Sequence, residues 1–130
     1  MNRKLRDTIK PIINRKDSLV PRYIINEYEV DNCLRENGFT SLTLSDLSFV
    51  EQVQIFYNAE YIAGLHGAGF ANIIFCKPNT KILELKPITA GEVIKNLALN
   101  NKLIYDDISV KGKTINFNNQ AGDIEIDISL

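Results

Sequence analysis

A chain of 130 residues can bury roughly two-thirds of the surface its unfolded form exposes, which suits one ordinary domain with one core. With 45% hydrophobic and 24% charged residues it sits near the globular averages, which excludes a disordered chain, a coiled coil or a repeat array. A formal net charge of -1 gives no support to a broadly basic nucleic-acid surface, so no nucleic acid is expected as a partner.

Over residues 1–22, seven Lys or Arg face two Asp, a local excess that reads either as a solvated surface or as an anion site fed by Arg15 and Arg22. "IKPIIN" (9–14) is a short strand candidate, and "RKDSLVPR" after it is loop. Asn26 is placed to cap a helix running to about Asn37, with Glu29 able to return a bond to the cap. Gly38 then supplies a left-handed stop. "FTSLTL" (39–44) alternates with period two and reads as a second strand. Ser48 and Glu51 form a capping box ahead of a helix whose Phe49, Val53 and Phe56 share one face, predicted as core.

"EYIAGL" (60–65) is a third strand, and "GAGFANIIF" reads as a turn running directly into a helix. "TKILELK" (80–86) is a fourth strand. Thr89 with Glu92 predicts a second capping box, opening a helix that reaches about Asn100. "KLIYDDISV" is a fifth strand, and residues 111–130 read either as a hairpin or as an excursion toward a last helix. Cys33 and Cys76, on two predicted helices and without CxxC or Cys/His spacing, read as buried free thiols. No apolar run approaches the ~18 residues of a membrane span, and the first residues lack the apolar core of a signal peptide.

Strands separated by helices of this length require crossover connections, hence a mostly parallel sheet covered on both faces. The expected fold class is therefore α/β: one Rossmann-like three-layer αβα domain over residues 1–130, less regular from about residue 110. In such sheets a ligand sits beyond the carboxyl ends of the strands, where a strand hands over to a helix.

"GLHGAGFANIIF" (64–75) occupies such a handover and holds the chain's only histidine. Gly67 and Gly69 bracket Ala68, which allows positive φ where needed and close approach of a ligand to the main chain. Bare N–H groups at the start of the next helix would then favour a phosphate. On this reading Gly69→Val abolishes ligand binding and spares the fold. His66 either donates to a phosphate oxygen or sugar hydroxyl, or is a structural histidine at a strand end. The motif is neither GxGxxG nor a Walker A loop. An HGGG-type oxyanion turn would need a GxSxG elbow, and none of the six serines has that context, which leaves a hydrolase without its nucleophile.

Three stretches together carry a family resemblance: "INRKDSLVPRYIINEYEV", "ENGFTSLTLSDLSFVEQVQIFYNAEYIAGLHGAGFANIIFCKPNTKILEL" and "DIEIDISL". In their order and spacing they resemble the family 61 glycosyltransferases, which include plant β-1,2-xylosyltransferases, O-linked N-acetylglucosaminyltransferases and bacterial capsular polysaccharide biosynthesis proteins. The resemblance implies the carboxyl-terminal, donor-binding half of a GT-B fold. It implies an inverting transfer from a nucleotide-sugar donor to a glycan or polysaccharide acceptor, without cofactor or metal, and with turnover dependent on an acceptor-binding domain or subunit. For a bacterial chain it implies a cytoplasmic location or one peripheral to the inner face of the membrane. The alternative is a non-catalytic nucleotide- or protein-binding module of the same fold within a larger complex.

Carried over residue by residue, the resemblance assigns Arg15 and Arg22 to the diphosphate; the alternative for each is a surface ion pair. His66, Gly67, Ala68, Gly69 and Asn72 fall to the diphosphate and the neighbouring sugar. Phe70 stands where leucine is commoner. Glu84, at the end of the fourth strand, is assigned to the ribose hydroxyls or else to a structural pair with a nearby Lys. Asn26 and Glu27 match an Asn-Glu pair in which Asn26 is either a helix cap, the preferred reading, or a ligand contact. Gln52 either supports the glycine turn or is solvated. No residue is assigned as catalytic base.

Overall fold

A computed structural model describes residues 10–13, 27–87 and 90–110. Five strands, β1 (Pro11–Ile13), β2 (Thr40–Leu42), β3 (Tyr61–Leu65), β4 (Lys81–Pro87) and β5 (Ile104–Val110), form one sheet in the order β2-β1-β3-β4-β5. Every pairing is parallel. Helices α1 (Glu27–Glu36), α2 (Phe49–Asn58) and α3 (Val93–Asn100) and a 3-10 segment, Ala68–Phe75, supply the crossovers. The α/β, Rossmann-like architecture is the expected one.

Period-two alternation divides the sheet into two buried faces. Ile13, Ile62 and Ile82 share one apolar cluster with Phe56 and Ala59 from the α2 region, Phe70 and Ile73 from the 3-10 segment, and Ile94 and Ala98 from α3. On the other face Leu65 and Leu85 pack with Val30 of α1, and Ile12 and Ala63 pack with Phe39. Near-continuous apolar strands of this kind are what a parallel sheet covered on both sides demands.

Local signals behave as expected at two helix ends. Gly38 lies at φ +89° and ends α1, while the Ser48–Glu51 capping box forms with both of its bonds at 3.0 and 3.1 Å. Other expectations need correction. β2 is three residues long and stops early because Leu44–Asp46 turn into a single 3-10 turn, while both ends of the expected first strand, 9 and 14, lie outside the described residues. Phe49 is not core: it is 66% exposed and sits T-shaped against Phe75, whereas Ile55 and Phe56 carry the buried stripe of α2. Glu92 is itself the cap residue of α3, with no side-chain bond, so it does not serve as the third residue of a capping box; Thr89 lies outside the described residues. Cys33 and Cys76 are free and half-buried rather than buried. Asn26 and the segment 111–130 also lie outside the described residues. Among the described residues no helix is long and apolar enough to cross a membrane.

Candidate functional site

The strand order places the reversal of chain progression between β1 and β3, and such a switch point opens a crevice at the carboxyl ends of its two strands. Ile13, the last described residue of β1, pairs with Gly64, one residue from the end of β3. His66 and Gly67 follow immediately. His66 extends the ladder past the strand, its N–H donating to the Leu85 carbonyl at 2.8 Å.

The segment after Gly67 is a 3-10 turn run rather than the predicted α-helix, with Phe70 N–H bonding back to the Gly67 carbonyl and Cys76 N–H to the Ile73 carbonyl. Side chains three apart eclipse in a 3-10 helix, and Phe70, Ile73 and Cys76 all enter or border the same cluster. A period of three in the buried residues is thus the reason for the tighter coil. Eight residues of it leave the first amides without helical partners, as an α-helix would.

The glycines serve packing rather than unusual dihedrals. Gly67 has φ 167°, an extended conformation open to any residue, and among the described residues the glycine in the left-handed region is Gly38. A Cβ on Gly69 would lie 3.3 Å from both Ile13 Cγ2 and Leu44 Cδ1, so its bare Cα faces the core. Gly69→Val therefore presses on the core, contrary to the expectation that it spares the fold. Gly64 is tighter still: its Cβ would meet the Ile13 carbonyl oxygen at 2.8 Å.

Around this junction the sheet face turns polar. Glu84 is fully buried in the middle of β4, not at its end, and both carboxylate oxygens have protein donors. Oε2 accepts from His66 Nδ1, and Oε1 accepts from the Tyr105 hydroxyl at 2.5 Å. A carboxylate is acceptor-only, so Nδ1 carries the proton in this pair, and the ring is held in one tautomer and orientation. The Tyr105 phenol is pushed well above its ordinary range by burial first, then by the hydrogen bond to Glu84 and the charges of Glu84 and Asp107. It therefore remains a donor. Glu84 is thus engaged with His66 and Tyr105 instead of a nearby lysine.

The two remaining predicted polar side chains also have partners. Asn72 Nδ2 donates to Gln52 Oε1 at 3.3 Å, and Gln52 in turn donates to the carbonyls of Leu44 and Leu47. Gln52 accordingly ties the 3-10 segment to the loop before α2. Ala68 opens that segment, and Arg15 and Arg22 lie outside the described residues. The structure thus brings together His66, Gly67, Gly69 and Glu84.

Sequence reasoning passed over Lys86, Tyr105, Asp107 and Ser109. Lys86 and Ser109 are register partners on the face that carries Glu84, and Glu84 pairs with Asp107. Lys86 is buried and has Asp107 Oδ2 at 3.7 Å, while Asp107 Oδ1 accepts from Ser109 Oγ at 3.1 Å. The available signal was charge at core-facing period-two positions: Ile82, Glu84 and Lys86 alternate along β4.

A cavity of about 550 Å³ lies at the opposite end of the sheet. Lys10, Tyr61 and Lys81, at the amino ends of β1, β3 and β4, line it together with Lys77, and none of the predicted site residues does. Its position argues against a role in ligand binding at the switch point.

Comparison with known proteins bears on the same stretch. Residues 2–83 match the family described as Glycosyltransferase 61. A beta-1,2-xylosyltransferase from Arabidopsis thaliana is 34% identical over 94 residues, a match covering 56% of this chain and 18% of the relative. The chain thus spans less than a fifth of the length of that curated relative, and the matched region includes the β3–glycine junction and nearly reaches Glu84. With well over half of its length matched, the chain belongs to glycosyltransferase family 61.

Proposed function

We propose that this chain forms the donor-binding part of an inverting, metal-independent glycosyltransferase that moves a sugar from a nucleotide-sugar to a glycan or polysaccharide acceptor. The observation that carries the reading is the position of the family's His-Gly-Ala-Gly stretch at the carboxyl end of β3, beside the β1/β3 switch point. There the amides opening the 3-10 segment supply donors to a diphosphate, with His66 adjacent. Arg15 and Arg22 add charge-assisted bonds to the same group. As the glycosidic bond breaks, the leaving nucleoside diphosphate gains negative charge, which these donors stabilise.

His66 enters this scheme as a ring whose Nδ1 proton is committed to Glu84, which fixes its orientation beside the glycine turn. Glu84 acts through His66 in this scheme. The base that activates the acceptor hydroxyl, and the acceptor site itself, belong to another domain or subunit.

Calorimetric titration of the intact chain with UDP, GDP and CMP sugars tests the proposal. Saturable binding of one nucleotide class is expected; a folded sample that binds none of them overturns it.

A further inference from the structure

Lys86 has an unusual environment for an ammonium. Its side chain is only 7% exposed, yet its nearest carboxylate oxygen, Asp107 Oδ2, lies 3.7 Å away, beyond hydrogen-bond reach. Burying a charge is costly unless it is both paired and hydrogen-bonded, and this one is paired only at long range. Asp107 is in a complementary state. Oδ1 accepts from Ser109, whereas Oδ2 has the Tyr105 hydroxyl at 3.3 Å, and that hydroxyl's single proton is given to Glu84 at 2.5 Å. Asp107 is also 32% exposed, so one side of the pair is open to a ligand.

A donor and an acceptor 3.7 Å apart match two adjacent hydroxyls, one accepting from the ammonium and the next donating to the carboxylate. An anion fits less well: Glu84 and Asp107 place two carboxylates on this face beside the one lysine. A neutral polyol both accepts from the ammonium and donates to the carboxylate. Lys86 stands one residue from the end of β4, whereas Asp107 is mid-strand in β5, and the His66 N–H bonds to the carbonyl of Leu85, next to Lys86.

We infer that Lys86 and Asp107, with Ser109 supporting the carboxylate, form a recognition site for a vicinal diol, supplied either by the ribose or by the transferred sugar of the donor. The choice of ligand rests on the donor-site reading above. It moves diol recognition from Glu84, whose oxygens are occupied, to the acid that is its register partner on β5.

The test is equilibrium binding of UDP, GDP, their 2′-deoxy counterparts and UDP-xylose to the intact chain and to Lys86→Met and Asp107→Ala. Asp107→Asn replaces Asp107→Ala should the latter not fold. If ribose is the diol, both variants weaken UDP or GDP about tenfold, and the 2′-deoxy nucleotides bind all three proteins equally weakly. If the sugar is the diol, the variants keep nucleotide affinity and lose the added affinity of UDP-xylose. Variants that bind every ligand within twofold of the parent overturn the inference and leave the donor site standing. Should the parent bind no nucleotide, the donor-site reading falls by itself. The diol site then stands only if ribose or xylose shifts the NMR signal of the Lys86 Cε protons, and falls if that signal does not move.

Discussion

One face of the sheet carries two different interiors. Toward the amino ends, Ile62 and Ile82 pair in register and pack with Phe56 and Ile73, a dry apolar core. One alternation step further along the same strands, Gly64, Glu84 and Asp107 stand side by side, followed by Lys86 and Ser109. The apolar half is explained by folding alone, since each side chain gains by leaving water. The polar half is not. Glu84 satisfies two donors, but Lys86 is left with a long-range partner, and a protein seeking only stability would place a hydrocarbon there. Under the diol-site proposal, this buried polar cluster is a site held ready at the expense of stability.

Mutations should divide along that line. Ile82→Ala, in the dry half, is expected to cost about 2–5 kcal/mol in urea unfolding, through lost burial and the cavity left behind. Gly64→Ala, at the boundary, brings a methyl against the Ile13 carbonyl oxygen and should cost about 1–3 kcal/mol, with β1 shifted from β3. If it is neutral, the close approach of these strands is not as tight as described. Tyr105→Phe removes one donor from the buried Glu84 carboxylate and should cost about 1.5 kcal/mol. Lys86→Met should change stability by less than about 1 kcal/mol, because the ammonium it removes makes no hydrogen bond among the described residues. A loss above about 3 kcal/mol would make Lys86 structural and erase the contrast between the two halves.

The smallest effect concerns Cys76, which borders the dry cluster. Burial pushes its thiol from 9.0 up to about 12, so alkylation at pH 8 should be slow in the folded protein and fast after denaturation. The sign of the linked stability follows. Above about pH 9 the unfolded chain releases this proton while the folded one holds it, so stability falls as pH rises toward about 12. Cys76→Ala should flatten that part of the pH profile.

The sequence by itself determined the alternation of strands and helices, the parallel sheet, the Ser48–Glu51 cap, the Gly38 stop and the prominence of the His66 junction. Each is a local or periodic property, written in residues within one or two helical turns of one another. It also misled locally: Phe49 fits a helical stripe but falls outside the contact area, and the Gly67–Phe75 stretch looks helical until the period of three in its buried residues is seen. Only the tertiary structure decided that Gly64 and Gly69 make room for β1 and Leu44, and that Glu84 joins His66 to Tyr105. It alone brought Lys86 to Asp107. Those relations depend on register between strands separated by whole crossovers, and register is set by the packing of both sheet faces at once, which no single stretch of sequence contains.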